Sequence, residues 1–289
     1  MIGPWRLFCT GSHSGSFNMA LDEVLLREVG LGKAAPAVRL FGWDPPAVSF
    51  GYAQRPAREI DLQRCREAGI DIVRRPTGGR AVLHWDELTY SVVCSGDETR
   101  LGGAIGDSYK IIGQCLVEGL RRYGIEASLE RAAARPRRPG ARSREVMAPC
   151  FSSMARWEIK WRGRKLVGSA QRRLHGAVLQ HGSLLTGERH KCLLDLLPAA
   201  VQERRAGLLR QLELGSISLA EGLSRSVDMD QLADCLAAGF GSCLQVDLEP
   251  LELNPDQRRQ TEALQVARYG NQSWILKGDA QAPVQDTGR

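Results

Sequence analysis

"RRPTGGRAVLHWDELTYS", residues 74–91, is the stretch on which the fold turns. Before it, "IDIVRR" reads as a short strand. After it, "VLHWDELTYSVVC" is extended and rich in β-formers. Between them stands Pro-Thr-Gly-Gly, a turn that sends one strand back as another. Paired glycines at Gly78 and Gly79 let backbone N–H groups approach a ligand closely, because no Cβ intervenes. Arg74, Arg75 and Arg80 add positive charge. Such a turn suits a phosphate, a carboxylate or a developing oxyanion. It is neither a P-loop nor a dinucleotide fingerprint, since the Lys-Ser/Thr pair and the third glycine are absent. His84, on the returning strand, reads equally as a site residue or as a core histidine satisfied by backbone.

The same alternation of strands and helices extends on both sides. "SFNMALDEVLLREVG" places Leu21, Val24, Leu25 and Val29 at helical spacing, with Gly30 at its end. "AVRLFGW" and "AVSFGYA" read as two strands with a turn at "DPP". "AREIDLQRCREAG" reads as one helix ending at Gly69, and "DSYKIIGQCLVEGLRRYG" as a long amphipathic helix ending at Gly124. "WEIKWRGRKLVGSAQ" reads as a hairpin turning at Arg162-Gly163, which pairs Lys165 with Lys160. "AVLQHGSLL" is a further strand. After residue 187 the pattern becomes helical, and Asn254, Pro255 and Gln257 form a helix-start signature. The chain therefore predicts an α/β fold, an α+β mixed sheet with flanking helices, followed by a helical C-terminal extension. We place the catalytic domain at 1–250, with its core at about 5–187 and the extension from 188. A C-terminal helix and polar tail occupy 251–289.

Bulk properties exclude several classes. The 289 residues are 43% hydrophobic and 25% charged, an ordinary globular composition. No apolar run approaches the ~20 residues a membrane span needs. The first residues do not read as a signal peptide, so the expected compartment is the cytoplasm and no membrane partner is expected. Net charge is +6, yet residues 131–145, "RAAARPRRPGARSRE", hold six arginines and one glutamate, or +5. No aromatic residue is interleaved there, which argues against nucleic acid; an acidic protein partner fits better.

Eight cysteines are present: Cys9, Cys65, Cys94, Cys115, Cys150, Cys192, Cys235 and Cys243. None forms a C-x-x-C pair or lies near a histidine pair at zinc spacing, so no metal is expected. Most sit in apolar periodic segments and read as small hydrophobic fillers. Cys150, in "APCFSSMARW" (148–157), follows a polar stretch and belongs to no apolar helix period. A second constellation lies at 163–185, "GRKLVGSAQRRLHGAVLQHGSLL". Gly168, Ser169 and Ala170 are small enough to let a substrate chain pass. Lys165 and His181 each have a bland alternative, a solvated strand lysine and a histidine bonded to backbone.

Taken in order, "NMALDE", "RRPTGGRAVLH", "RKLVGSAQRR" and "LQHGSLL" resemble the lipoate–protein ligase and octanoyltransferase family over roughly residues 5–200. The resemblance implies the mixed-sheet catalytic domain shared with biotin–protein ligases. It implies an acyl pocket lined by the Arg75, Gly78 and Gly79 turn, with Lys165 contacting the acyl carbonyl or acyl adenylate. His84 matches the family histidine after the turn. Relatives commonly carry an acid directly after it, whereas here Trp85 intervenes before Asp86 and Glu87.

The family divides between ATP-dependent ligases and ATP-independent transferases. Ligases typically carry Asn-Asp ahead of the hairpin; here Cys150-Phe151-Ser152 stands there, similar to the cysteine octanoyltransferases. This resemblance implies transfer from octanoyl–acyl carrier protein, through a Cys150 thioester, to a lysine of a lipoyl-domain protein such as the glycine cleavage H protein, with no cofactor. A thiolate is a strong nucleophile near neutral pH, and a nearby cation such as Lys165 favours it. Backbone N–H groups near Gly168–Ala170 or at Gly78-Gly79 are candidates for the oxyanion. The alternatives are an amidotransferase moving octanoate between lipoyl domains, an ATP-dependent lipoate ligase, and a non-catalytic acyl-carrier-binding protein.

Overall fold

A computed structural model of the chain describes residues 4–101, 103–131 and 157–278. Strand β1 (Trp5–His13) leads into helix α1 (Gly15–Gly30), capped by Ser14, whose hydroxyl accepts from the Phe17 N–H. Strands β2 (Ala37–Trp43) and β3 (Ala47–Phe50), short helices α2 (Pro56–Glu59) and α3 (Leu62–Glu67), and strands β4 (Asp71–Arg74), β5 (Val82–His84) and β6 (Glu87–Ser95) follow. Next come α4 (Ile105–Arg122), β7 (Ser128–Arg131), β8 (Trp157–Trp161), β9 (Arg164–Leu174) and β10 (Ala177–Leu185). Two 3-10 segments then precede α5 (Arg205–Gly215), α6 (Leu219–Leu223), α7 (Met229–Leu244), β11 (Leu248–Pro250) and α8 (Pro255–Leu264). A π-helical turn (Gln265–Tyr269) joins α8 to α9 (Gln272–Lys277).

Among the described residues the strands form two sheets. The larger has eight strands in the order β11-β1-β2-β6-β10-β9-β8-β7, and the smaller has three, β4-β3-β5. Both are mixed: β1 runs parallel to β2 and β11, and β3 parallel to β4, while the other pairs are antiparallel. Alternation along β6 separates two cores. Val92 faces a cluster with Ile112 and Leu116 of α4 and Leu236 and Phe240 of α7; Val93 faces one with Leu21 and Leu25 of α1. Helices α4 and α7 meet at glycine: a Cβ on Gly239 would stand 2.4 Å from the Gly119 nitrogen. Full burial of a large aliphatic side chain in such a core contributes about 1.5–3 kcal/mol, so the two clusters hold the helices to the sheet.

Several sequence expectations are corrected here. The strands either side of "DPP" do not pair, because β2 lies in the larger sheet and β3 in the smaller. The strands flanking Pro-Thr-Gly-Gly do not pair either, because β3 runs between β4 and β5. "AREIDLQRCREAG" is two helices, broken where Ile60 is extended and Asp61 caps α3 through the Gln63 and Arg64 N–H groups. The C-terminal region carries β11, which extends the large sheet through β1. The hairpin at Arg162-Gly163 forms with Lys160 opposite Lys165, and the capping box at Asn254 and Gln257 is complete.

Candidate active site

Nine sequence-identified residues meet in one cavity of about 570 Å³ between the two sheets. The loop after β4 supplies Arg75, Gly78 and Gly79, β5 supplies His84, β9 supplies Lys165, Gly168, Ser169 and Ala170, and β10 supplies His181. Met19 of α1 and Ile105 and Tyr109 of α4 add apolar lining. Cys150 and Phe151, with most of the arginine-rich stretch, lie outside the described residues.

Both histidines hold a carboxylate on one ring nitrogen and a hydroxyl on the other. His181 Nδ1 lies 3.1 Å from Asp22 Oδ2, and its Nε2 lies 2.7 Å from Thr77 Oγ1. Asp22 is fully buried on α1 and also accepts from Arg39 and Ser91, each at 3.0 Å. Burial pushes the Asp22 carboxyl up, but the His181 hydrogen bond and the Arg39 charge outweigh it and hold it below the usual range. Burial also drives the His181 imidazolium toward neutrality, against the pull of Asp22. Neutral His181 therefore donates from Nδ1 to Asp22 and accepts the Thr77 hydroxyl proton at Nε2. Thr77 immediately precedes the glycine pair, so α1 positions the loop through β10.

His84 repeats the pattern. Its Nε2 lies 2.6 Å from Ser49 Oγ and its Nδ1 lies 2.8 Å from Glu87 Oε1. Trp43 stacks on the imidazole at 3.9 Å and donates its indole N–H to Thr89. Of the two acids beyond Trp85, Glu87 is the one that meets His84. Asp86, at φ 51°, makes the turn that swings β6 back under His84.

Lys165 is 5% exposed, and its Nζ stands 3.3 Å from Glu158 on β8. On β9 the Ser169 carbonyl accepts the Tyr109 hydroxyl at 2.6 Å, so it points away from β10. In an antiparallel strand a residue's N–H and C=O share a side, so the Ser169 amide points away from β10 too. Gly182 sits opposite on β10. A Cβ there would stand 2.5 Å from the Gly168 carbonyl oxygen and 2.7 Å from Tyr90, which explains the glycine.

The arginines of the turn serve the scaffold. Arg74 is buried and donates to the carbonyls of Gly51, Tyr52, Gln54, Trp274 and Ile275. It ties β4 to the C-terminal segment and does not line the cavity. Arg75 lines the cavity while bracing the loop through the Gly78 and Arg80 carbonyls. Gly79, at φ 99°, needs glycine to close that loop. Sequence reading missed Met19, Trp43, Ser49 and Asp22 as site components, and it left open whether Asp86 or Glu87 serves His84. Asp22 left a local signal as well: an acid among the apolar positions of α1.

Comparison with known proteins places the chain in a family. The lipoyl protein ligase A/B catalytic domain matches residues 14–241. The octanoyltransferase LipM of Kyrpidia tusciae is 40% identical over 272 residues, which are 93% of this chain and 97% of that protein. The octanoyltransferase LipM of Moorella thermoacetica is 39% identical over 276 residues, 94% of this chain and 98% of that protein. Among solved structures, a bi-partite lipoate protein ligase with its E2 lipoyl domain from Thermoplasma acidophilum superposes with a TM-score of 0.77. It is 22% identical and covers 98% of this chain and 100% of that one. A lipoate-protein ligase A bound with ATP gives 0.73 at 23% identity, covering 96% and 100%. At those identities the structural likeness carries the fold alone: a lipoate-ligase-like mixed α/β domain. The chain belongs to the lipoyl protein ligase A/B catalytic domain family, and it is an acyltransferase.

Proposed function

We propose that this enzyme moves an octanoyl group from octanoyl–acyl carrier protein, through a thioester on Cys150, to a lysine of a lipoyl-domain protein such as the glycine cleavage H protein. Exchange of one thioester for another is near balance in bond energy, so it needs no ATP. The nucleophile must then be a thiol of low pKa. Burial raises the pKa of all seven described cysteines, to about 12 for Cys65 and Cys94. None of the seven lines the cavity. This is the observation that carries the reading: a cavity lined by Lys165 and Arg75 and by apolar side chains such as Met19, Val82 and Ile105, with no competing described thiol.

The roles follow from the geometry. Met19, Ile105 and Tyr109 take the acyl chain. The Lys165 ammonium favours the Cys150 thiolate and gives up a proton to the departing carrier thiol. The Ser169 amide and the Gly78-Gly79 turn are donors to the tetrahedral oxyanion. Amine attack on the acyl-enzyme then yields an amide and restores the thiol.

The test is an intact-mass measurement after mixing the protein with octanoyl–acyl carrier protein and no ATP. We expect a hydroxylamine-sensitive octanoyl adduct that is lost in Cys150→Ala. Lys165→Ala should slow its formation by about 10²–10⁴-fold while the protein stays folded. Transfer that survives Cys150→Ala and requires ATP would overturn the proposal.

A further inference from the structure

We propose that Cys243 and Cys115 form a redox site between α7 and α4: Cys243 takes the oxidant, and Cys115 closes a reversible disulfide with it. The pair stands apart from the octanoyl-transfer site, since neither thiol lines the cavity.

The backbones of α4 and α7 come into contact at Gly119 and Gly239. A Cβ on Gly239 would stand 2.4 Å from the Gly119 nitrogen and 2.6 Å from the Cys115 carbonyl oxygen. Cys243 follows one helical turn further along α7. Its thiol donates to the Gln114 carbonyl of α4, with Sγ 3.8 Å from the oxygen. The Cys115 thiol in turn donates to the Cys243 sulfur. A disulfide requires Cα atoms about 4.4–6.8 Å apart, and helix backbones this close bring two facing cysteines into that range.

The two thiols differ in access. Cys243 lies in the last turn of α7 and is exposed, whereas Cys115 faces the core from α4 and is fully buried. An oxidant dissolved in water therefore meets Cys243 first. Their acidities divide the roles in the same way. Burial raises the pKa of both, but the hydrogen bond between them raises Cys115 and lowers Cys243. Cys243 is thus the thiol that ionises first, with the Cys115 S–H aimed at its sulfur. Of the charges near it on α4, Glu118 opposes the thiolate and Arg122 favours it.

The chemistry balances with a peroxide as the oxidant. The Cys243 thiolate attacks one peroxide oxygen and the O–O bond breaks. The leaving hydroxide takes the proton that Cys243 gave up and becomes water, and Cys243 becomes a sulfenic acid. The Cys115 sulfur then attacks the Cys243 sulfur and the S–O bond breaks. The second hydroxide leaves with the Cys115 proton, again as water. Two thiols are oxidised to one disulfide, and one peroxide is reduced to two waters. A sulfenic acid with no thiol beside it goes on to sulfinic acid, which thiol reductants do not reverse. Cys115 keeps the oxidation of Cys243 reversible. The link also ties α7 to the helix that carries Ile105 and Tyr109 into the cavity.

The test is peptide mapping of the folded protein after brief treatment with hydrogen peroxide. Remaining thiols are blocked with N-ethylmaleimide, and trypsin digestion is run without reductant. We expect residues 111–121 joined to residues 226–258, and the two separated again by dithiothreitol. The second peptide also contains Cys235, so the link should persist in Cys235→Ser and vanish in Cys243→Ser. Its rate of formation should rise about tenfold per pH unit below the Cys243 pKa, because the thiolate is the reacting form. In Cys115→Ala, Cys243 should instead accumulate as a sulfinic acid that dithiothreitol leaves unchanged. The inference is overturned by any of four results: no joined peptide in the wild type, a joined peptide that survives Cys243→Ser, a rate independent of pH, or no more sulfinic acid in Cys115→Ala than in the wild type.

Discussion

Asp22 Oδ2 lies 3.1 Å from His181 Nδ1, across 159 residues of chain, and this contact decides which ring nitrogen carries the proton. With the proton on Nδ1, Nε2 accepts from Thr77 and pins the loop that holds Gly78 and Gly79. The same carboxylate neutralises Arg39, which is also fully buried.

Asp22→Asn removes the charge and leaves the Arg39 guanidinium buried without a carboxylate. Breaking a buried pair this way costs about 3–5 kcal/mol. Thermal denaturation should show that loss. Acyl transfer, measured at a temperature where the variant is still folded, should also fall because the loop loses its brace. A variant with wild-type stability would remove Asp22 from the scaffold role.

Acid should weaken the fold beginning below pH 6.5. His190 lies between the Gly187 carbonyl at 3.3 Å and Ser216 Oγ at 3.2 Å, and burial pushes its pKa from the usual 6.5 down to about 4. A group whose pKa is depressed on folding stabilises the protein fully above its unfolded value. That contribution is lost as pH falls through the folded one. For His190 it amounts to about 3 kcal/mol between pH 6.5 and 4. His181 acts in the same direction, and Asp22 extends the loss below its usual 3.8. Urea midpoints across this window should fall, and less steeply in His190→Gln. A flat profile would contradict the burial argument.

Arg74→Leu should loosen the C-terminal segment before the sheets unfold. The guanidinium serves carbonyls on both the 51–54 loop and α9, and its loss strands them in a buried environment. At ~1–3 kcal/mol per unsatisfied group, the total should reach at least about 3 kcal/mol. Limited proteolysis should cut first within residues 255–277. Arg74→Lys should rescue little, because a point charge cannot span the carbonyls that a planar fork reaches.

Met19→Ala should change acyl selectivity. Met19 lines the cavity and belongs to a buried cluster with Val73, Trp274 and Ile275, so it forms part of the cavity wall. Truncation enlarges the pocket there. Each additional buried methylene is worth about 0.8 kcal/mol, or roughly fourfold. Competition between octanoyl and decanoyl carrier protein should therefore move toward decanoyl by several-fold. Unchanged selectivity would place the end of the chain elsewhere.

Much of the site could be read locally. Paired glycines, Lys165 past a hairpin turn, and small residues on β9 announce themselves by type and spacing, because turn chemistry and strand alternation act over a few residues. The carboxylates behind the histidines could not be read that way. Asp22 sits on α1 and Glu87 follows a turn whose direction depends on Asp86 at φ 51°. Arg74 and Arg75 look alike in sequence, yet alternation along the strand sends one to the C-terminal carbonyls and the other to the cavity.

Residue order alone therefore settled most of the elements up to β10, the hairpin that places Lys165 opposite Lys160, the capping box at Asn254, and the motifs that mark the family. Their physics is local: dihedral preference, side-chain period and cap hydrogen bonds. Tertiary structure decided that β3 runs between β4 and β5, that β11 joins β1, and that two sheets face each other to make one cavity. Those outcomes depend on burial between segments far apart in the chain. A sheet is stabilised by whichever strand fills its edge, and no local pattern names that partner.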